Sequence, residues 1–189
     1  KKWNLDYNIM LMTGKGGKYR MNHLTIMQAE KEDAKALLQY RDAIGAESDN
    51  LTYGSEGSGM TVEAQETFIQ RTKESGESVM YVGKINGEIV ALGSITAYDK
   101  PRIRHRGELG LTVRKSYWNQ GIATKMMQAL MAFAEERISC EVVELEVRSD
   151  NEAAIHLYEK FGFRTIGIYE KFFKIGDQYA PANLMNCYL

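Results

Sequence analysis

The chain is 189 residues long, with 44% hydrophobic and 26% charged residues; 24 Lys and Arg against 25 Asp and Glu leave a formal net charge of −1. This composition is ordinary for a globular domain and excludes a disordered or fibrous chain, and the near-neutral balance carries no overall signature of nucleic-acid binding. No apolar run approaches the roughly 18–20 residues that span a bilayer. Cys140 and Cys187 are isolated, so they make neither a disulfide scaffold nor a Cys/His metal cluster. The expectation is a cytoplasmic protein with reduced thiols and without a nucleic-acid or membrane partner.

In chain order, residues 1–20 show no sustained period, and Met21 opens a segment that reads as a natural start. Residues 1–20 are therefore expected to be an N-terminal extension, a tag or a flexible tail, with residues 21–189 forming one domain. The Gly/Lys cluster at 14–18 lacks the spacing of a phosphate loop. Residues 23–29 read as a strand and 30–44 as a helix, with Ala34, Leu37, Leu38 and Ile44 at helical spacing. A Gly/Ser/Asn-rich loop is expected over 45–60. Thr61 is placed to N-cap a helix reaching Ser75, with Gly76 as its terminator.

Residues 78–85 and 88–98 flank Asn86-Gly87, the strongest two-residue hairpin signal. A basic loop, 99–106, holds Arg102, Arg104 and Arg106, read as solvated. Residues 107–114 form a strand, and 121–138 an amphipathic helix with Ile122, Met126, Leu130 and Phe133 on one face. A strand over 141–148, a short helix over 151–161 and two strands over 163–174 and 179–189 complete the chain. Adjacent strands mixed with β-α-β units imply one α/β (α+β) domain: a mixed, mostly antiparallel sheet of about seven strands with about four helices on its faces.

Two stretches carry the chemistry. In 113–123 a strand ends, a short loop follows and a helix begins at Gly121. Such a helix start presents unpaired N–H groups and the positive end of the helix dipole, a natural phosphate site. In 151–163, Asn151 and Tyr158 stand seven apart, near one helical face. By itself Asn151 is equally a helix N-cap, and Tyr158 equally a packing residue beside Leu157 and Phe161. His23, His105 and His156 show no metal spacing, His156 is expected on the surface off the Asn151/Tyr158 face, and Cys140 is expected to be a buried, inert thiol.

Taken together, Gly-x-Ala opening one helix and then Asn-x-x-Ala-x-x-x-Tyr-x-x-x-Gly-Phe after the next strand resemble the GNAT superfamily of acetyl-CoA-dependent N-acetyltransferases. The resemblance covers about residues 22–189. One departure is that Trp118 occupies the first position of the family's [R/Q]-x-x-G-x-[G/A] pattern, and Gln120 lies nearer the glycine. The resemblance implies a GNAT-like fold and acetyl-CoA as co-substrate, with no metal. It implies that the backbone of Asn119, Gln120, Gly121, Ile122, Ala123 and Thr124 holds the CoA pyrophosphate. The strand containing Leu111, Thr112 and Val113 would pair with the pantetheine arm, Asn151 would bind the cofactor near it, and Tyr158 would sit by the thioester sulfur.

Those residue types suit the reaction. A departing thiolate, conjugate to a thiol of pKa near 8.5, is helped by a phenol of pKa near 10. A lysine-like amine, of pKa near 10.4, must lose a proton before it attacks. Glu108, at the start of the strand beside the cofactor arm, is the candidate base; the alternative is a solvent-facing strand glutamate. The loop 45–60, with Glu47, Asp49 and Glu56, is the expected place of acceptor selection.

The activity so implied is acetyl transfer to a primary amine, of a small molecule or a protein N-terminus, by direct attack in a ternary complex; a homodimer is left open. Two other readings compete. One is a CoA-binding sensor or interaction module without turnover, against which the presence of both Tyr158 and Glu108 argues. The other is an unrelated nucleotide-binding domain, disfavoured because no phosphate-loop lysine or G-x-G-x-x-G fingerprint is present.

Overall fold

The structure is a computed structural model and describes residues 4–13, 18–137 and 140–189. Strands β1 (Asn4–Thr13) and β2 (Lys18–Gln28) lead, through a 3₁₀ turn at Lys31–Asp33, into helices α1 (Ala34–Glu47) and α2 (Val62–Ser75). Strands β3 (Val79–Ile85), β4 (Glu88–Ala97) and β5 (Arg106–Val113) follow, then a second 3₁₀ turn at Lys115–Tyr117 and helix α3 (Ile122–Arg137). Strand β6 (Val142–Arg148), helix α4 (Glu152–Lys160) and strands β7 (Arg164–Ile175) and β8 (Gln178–Tyr188) complete the chain. The strands form one eight-stranded sheet in the order β1-β2-β3-β4-β5-β6-β8-β7, antiparallel except between β5 and β6.

Local signals act as the sequence suggests. The Thr61 hydroxyl accepts from Ala64 N at 3.2 Å, and Gly76 closes α2 in the left-handed region at φ 68°. Asn86 and Gly87, at φ 51° and 83°, turn β3 into β4 in a primed hairpin.

Both faces of the sheet are covered. On one, Ile122, Met126, Leu130 and Phe133 of α3 pack with Tyr81, Val90 and Ile95. On the other, Leu37, Tyr40, Ile44 and Ile69 of α1 and α2 pack with Met80 and Val82. β3 therefore reads as an almost unbroken apolar run, as strands buried on both sides do. A Cβ at Gly93 would meet Leu130 Cδ1 at 2.8 Å, so that glycine lets α3 lie close on the sheet.

The N-terminal expectation is corrected. Residues 4–13 are an edge strand paired with β2 from Asn4↔Met27 to Thr13↔Lys18. Ile9 and Leu11 are each only 7% exposed and join the α3-side core, and the Lys125 ammonium lies 4.8 Å from the Tyr7 ring. This strand is the eighth, where about seven were expected. Residues 14–17, most of the Gly/Lys cluster, and residue 138, the expected end of the α3 helix, lie outside the described residues.

Candidate active site

The site originates in an incomplete strand pairing. The parallel ladder of β5 and β6 comprises only Arg106↔Val142, Gly107↔Val143 and Glu108↔Glu144. Beyond it β5 stays with β4 as far as Val113, and β6 stays with β8 as far as Arg148. The two strands diverge, and a cavity of about 610 Å³ opens between them. Glu108, Leu111, Thr112, Val113, Asn119, Gln120, Gly121, Ile122, Ala123, Thr124, Asn151 and Tyr158 all line this one cavity.

At the end of β5 the chain turns sharply into α3. Asn119 and Gly121 take positive φ, 59° and 77°, and a Cβ at Gly121 would meet nothing within 4 Å, so its outer side is open. The turn is braced from behind: Trp118 Nε1 donates to Val113 O at 2.7 Å, and Gln120 Nε2 donates to Ser116 O at 2.9 Å. The Gln120 side chain is thus committed to the turn. Lys125 N donates to Gly121 O at 3.1 Å. Ahead of it, the N–H groups of the first helical turn are those a helix leaves without internal partners, and they border the cavity.

Tyr158 occupies the opposite wall. It is 8% exposed, its ring packs on Phe163 with centroids 5.8 Å apart, and burial pushes its pKa up to about 12. Among the described residues its hydroxyl has no hydrogen-bond partner, yet the residue lines the cavity. Asn151 N-caps α4 by accepting from Ala154 N at 3.3 Å, so its capping and site positions coincide. His156, expected off this face, is at the cavity wall instead, with Lys160 one turn further on.

Side-chain alternation divides the site into two sides. Leu109 and Leu111 of β5 and Val143, Leu145 and Val147 of β6 pack on the α3 side. Glu108 and Thr112 face the other way, where Tyr40 of α1 meets the Thr112 hydroxyl at 3.0 Å. Thr112 also donates to Leu92 O at 3.4 Å, so its side chain is committed; its backbone pairs with Leu92 on β4, and the amides of Leu109, Leu111 and Val113 are those turned to the cleft.

On that same face Glu144 and Glu146 follow one another on β6. Glu144 is neutralised: it accepts from Tyr98 Oη at 2.7 Å and from Arg106 Nε at 2.8 Å, and is also held by Arg106 Nη2. Arg106, read as part of a solvated loop, is therefore the first residue of β5 and an ion-pair partner. Glu108 and Glu146 have no such partner among the described residues and both line the cavity. Glu146 is open to the cavity but set in a concave wall. Loss of solvation there, with Glu108 and Glu144 nearby, raises its pKa above the usual carboxylate value.

Glu146 escaped the sequence reading. In the alternation of 141–148 it looks like any outward strand glutamate, and only the divergence of β5 and β6 turns it toward a cavity. The acidic residues expected on the acceptor loop have other tasks. Glu47 ends α1, and its carboxylate accepts from Arg114 Nε at 2.8 Å and Lys115 N at 2.7 Å. The Asp49 carbonyl accepts from Arg148 Nη1 at 3.2 Å. Glu56 accepts from Gly54 N at 2.8 Å, a bond that lowers its pKa.

A helix start, a strand edge without a neighbour and a buried phenol thus lie along one cleft. The family model described as Acetyltransferase (GNAT) family matches residues 47–163, and the chain belongs to this family. It is similar to the L-amino acid N-acetyltransferase AaaT of Escherichia coli (strain K12), 29% identical over 104 residues, which is 55% of this chain and 64% of that protein. The chain thus spans slightly under two thirds of that relative's length. An N-alpha-acetyltransferase of Sulfurisphaera tokodaii is 30% identical over 118 residues, 58% of this chain and 70% of that protein.

Among solved structures, a GNAT-family acetyltransferase from Streptococcus pneumoniae superposes with a TM-score of 0.85 at 29% identity, covering 88% of this chain and 99% of that one. The protein yncA of Salmonella typhimurium, solved with acetyl-CoA, shares the fold with a TM-score of 0.77 at 16% identity, over 88% and 94% of the two chains. Acetyl-CoA is the family's co-substrate, and acetyl-CoA-dependent N-acetyl transfer is the activity that family and fold support. Among the described residues no His/Cys/Asp/Glu cluster could hold a metal, and no helix is long and apolar enough to cross a membrane.

Proposed function

We propose that the protein transfers an acetyl group from acetyl-CoA to a primary amine, in a ternary complex, with Tyr158 and the Glu108/Glu146 wall as its working groups. The observation that carries this reading is a buried phenol, without a partner among the described residues, at the wall of a cavity that also holds a phosphate-type helix start. When bound, acetyl-CoA supplies a thioester-activated acetyl group. The N–H groups over 121–124 hold its pyrophosphate. The cleft-facing backbone of β5 takes up the pantetheine amides as a strand would take a neighbour. Asn151 contributes beside them while capping α4.

Glu108 accepts the proton that the acceptor ammonium must lose, with Glu146 beside it on the next strand. Both carboxylates lie on the face away from α3, so the amine comes from the α1 side. Tyr158 stays protonated: a phenol at about 12 keeps its proton against a thiol near 8.5. Its role is therefore to donate a hydrogen bond to the departing sulfur. Such a bond to a charged group is worth about 1.5–3 kcal/mol.

Residues 21–189 form the acetyltransferase domain in this reading, with β1 extending its sheet, and the two unpaired cysteines favour a cytoplasmic location. Free-thiol release from acetyl-CoA, followed across a panel of amines, tests the proposal. Turnover with any amine supports it. Stabilisation by CoA without turnover of any amine would leave a cofactor-binding module instead.

A further inference from the structure

The face that carries Glu146 and Arg148 continues across β8 onto β7. Directly opposed residues of an antiparallel ladder project to one side of the sheet. The register opposes Arg148 to Ala182 and Ala182 to Tyr169, then, past an irregularity, Ala180 to Phe173. There Glu170, Lys171 and Phe172 of β7 stand against Pro181 of β8 alone. A bulge bends its strand and re-aims the side chains next to it. This one brings both Phe172 and Phe173 into the wall of the cavity. Their ring centroids lie 4.8 Å apart, and Tyr169 abuts Phe172 at 5.5 Å. From the other side, the Asp49 carbonyl held by Arg148 brings Leu51 to the same cavity.

The acetyl-transfer chemistry above uses neither ring. An ammonium held at Glu108 and Glu146 leaves its own substituent on the face these rings occupy. A pocket that sets a few polar groups beside an apolar wall orients a ligand by the polar end and selects it by the apolar one. We propose, resting on the acetyltransferase reading, that Phe172 and Phe173 form an apolar subsite for the side chain next to the acceptor's amino group. The preferred acceptor is then an α-amine bearing a large apolar side chain, carried either by a free amino acid or by the N-terminal residue of a peptide.

The test measures kcat/KM for Phe, Leu, Ser and Asp, each as the free amino acid and as the first residue of an X-Ala-Ala peptide, with spermidine alongside. The series that turns over distinguishes the two sources. Phe and Leu should exceed Ser by about tenfold or more, and Phe172→Ser should cut that ratio by about the same factor. Calorimetry on CoA-saturated protein should show the affinity for the Phe acceptor falling in parallel, while acetyl-CoA affinity stays as in the wild type. Phe172→Leu, which keeps the site apolar, should retain the preference and guards against a Ser variant that folds poorly. A wild type indifferent to the side chain, or a Phe172→Ser loss equal for all acceptors, overturns the subsite. Turnover of spermidine alone overturns it while leaving acetyl transfer standing, and turnover of no amine overturns both.

Discussion

Tyr158 carries the sharpest expectation at the scale of single residues. Tyr158→Phe removes one oxygen and keeps the ring on Phe163. Loss of a hydrogen bond made mainly as the thiolate departs should lower kcat about 10- to 100-fold with KM for acetyl-CoA little changed; wild-type kcat, measured where chemistry limits the rate, would return Tyr158 to packing alone. Gly121→Val should act on binding instead. A β-branched residue at φ 77° strains the turn and crowds its open side, so KM for acetyl-CoA should rise while the rest of the fold persists. Unchanged CoA affinity in the folded variant would remove the phosphate from that turn.

Glu146 makes a prediction about pH. Its pKa is raised in the fold, so the folded protein holds its proton to higher pH than the unfolded chain does, and stability falls as pH rises through that window. Glu146→Gln removes a partly desolvated charge and its repulsion with Glu108 and Glu144. Thermal unfolding should therefore show the variant more stable than wild type near pH 8. The advantage should vanish below the unfolded carboxylate value of about 4.3. The same variant should turn over more slowly if Glu146 supports deprotonation of the amine.

Among the elements, β1 bears on stability. Removing residues 4–13 forfeits the burial of Ile9 and Leu11, worth about 1.5–3 kcal/mol each and offset by the entropy of ordering the strand, and bares the edge of β2. A fall in Tm is expected, at about 2–4 °C per kcal/mol lost in a chain of this size; an unchanged Tm would mean that the strand adds nothing. The signal for it was present in the sequence, since Leu5, Tyr7, Ile9 and Leu11 alternate with polar residues or Met10. The Gly/Lys run that follows, and Met21 beyond it, obscured that alternation. Elements with local punctuation were legible: Thr61 and Gly76 around α2, Asn86-Gly87 between β3 and β4, and Asn151 before α4 each act over a few residues. The sharp turn before α3 and the helical spacing of Asn151 and Tyr158 were legible for the same reason. The place of Glu146 at the cavity wall, the bulge that presents Phe172 and the partner of Arg106 were not, because each depends on which strands pair and where that pairing stops.

At the scale of the whole molecule, the cleft is a seam in an otherwise continuous sheet. Three ladder pairs close it at one end, while Glu47 and Arg148 tie the root of the α1–α2 loop to the ends of β5 and β6 respectively. In an antiparallel pair every second backbone amide points away from the partner strand. Along 109–113 those amides face the cleft instead of β6, although β5 lies in the middle of the sheet. Hydrogen–deuterium exchange should register this. In the ligand-free protein the seam amides of β5 should exchange far faster than those of β3 and β4, as an outer strand's would, and CoA should slow them without altering the rest of the strand. The centre of the sheet would then be among its least protected parts until the cofactor stands in for the missing neighbour.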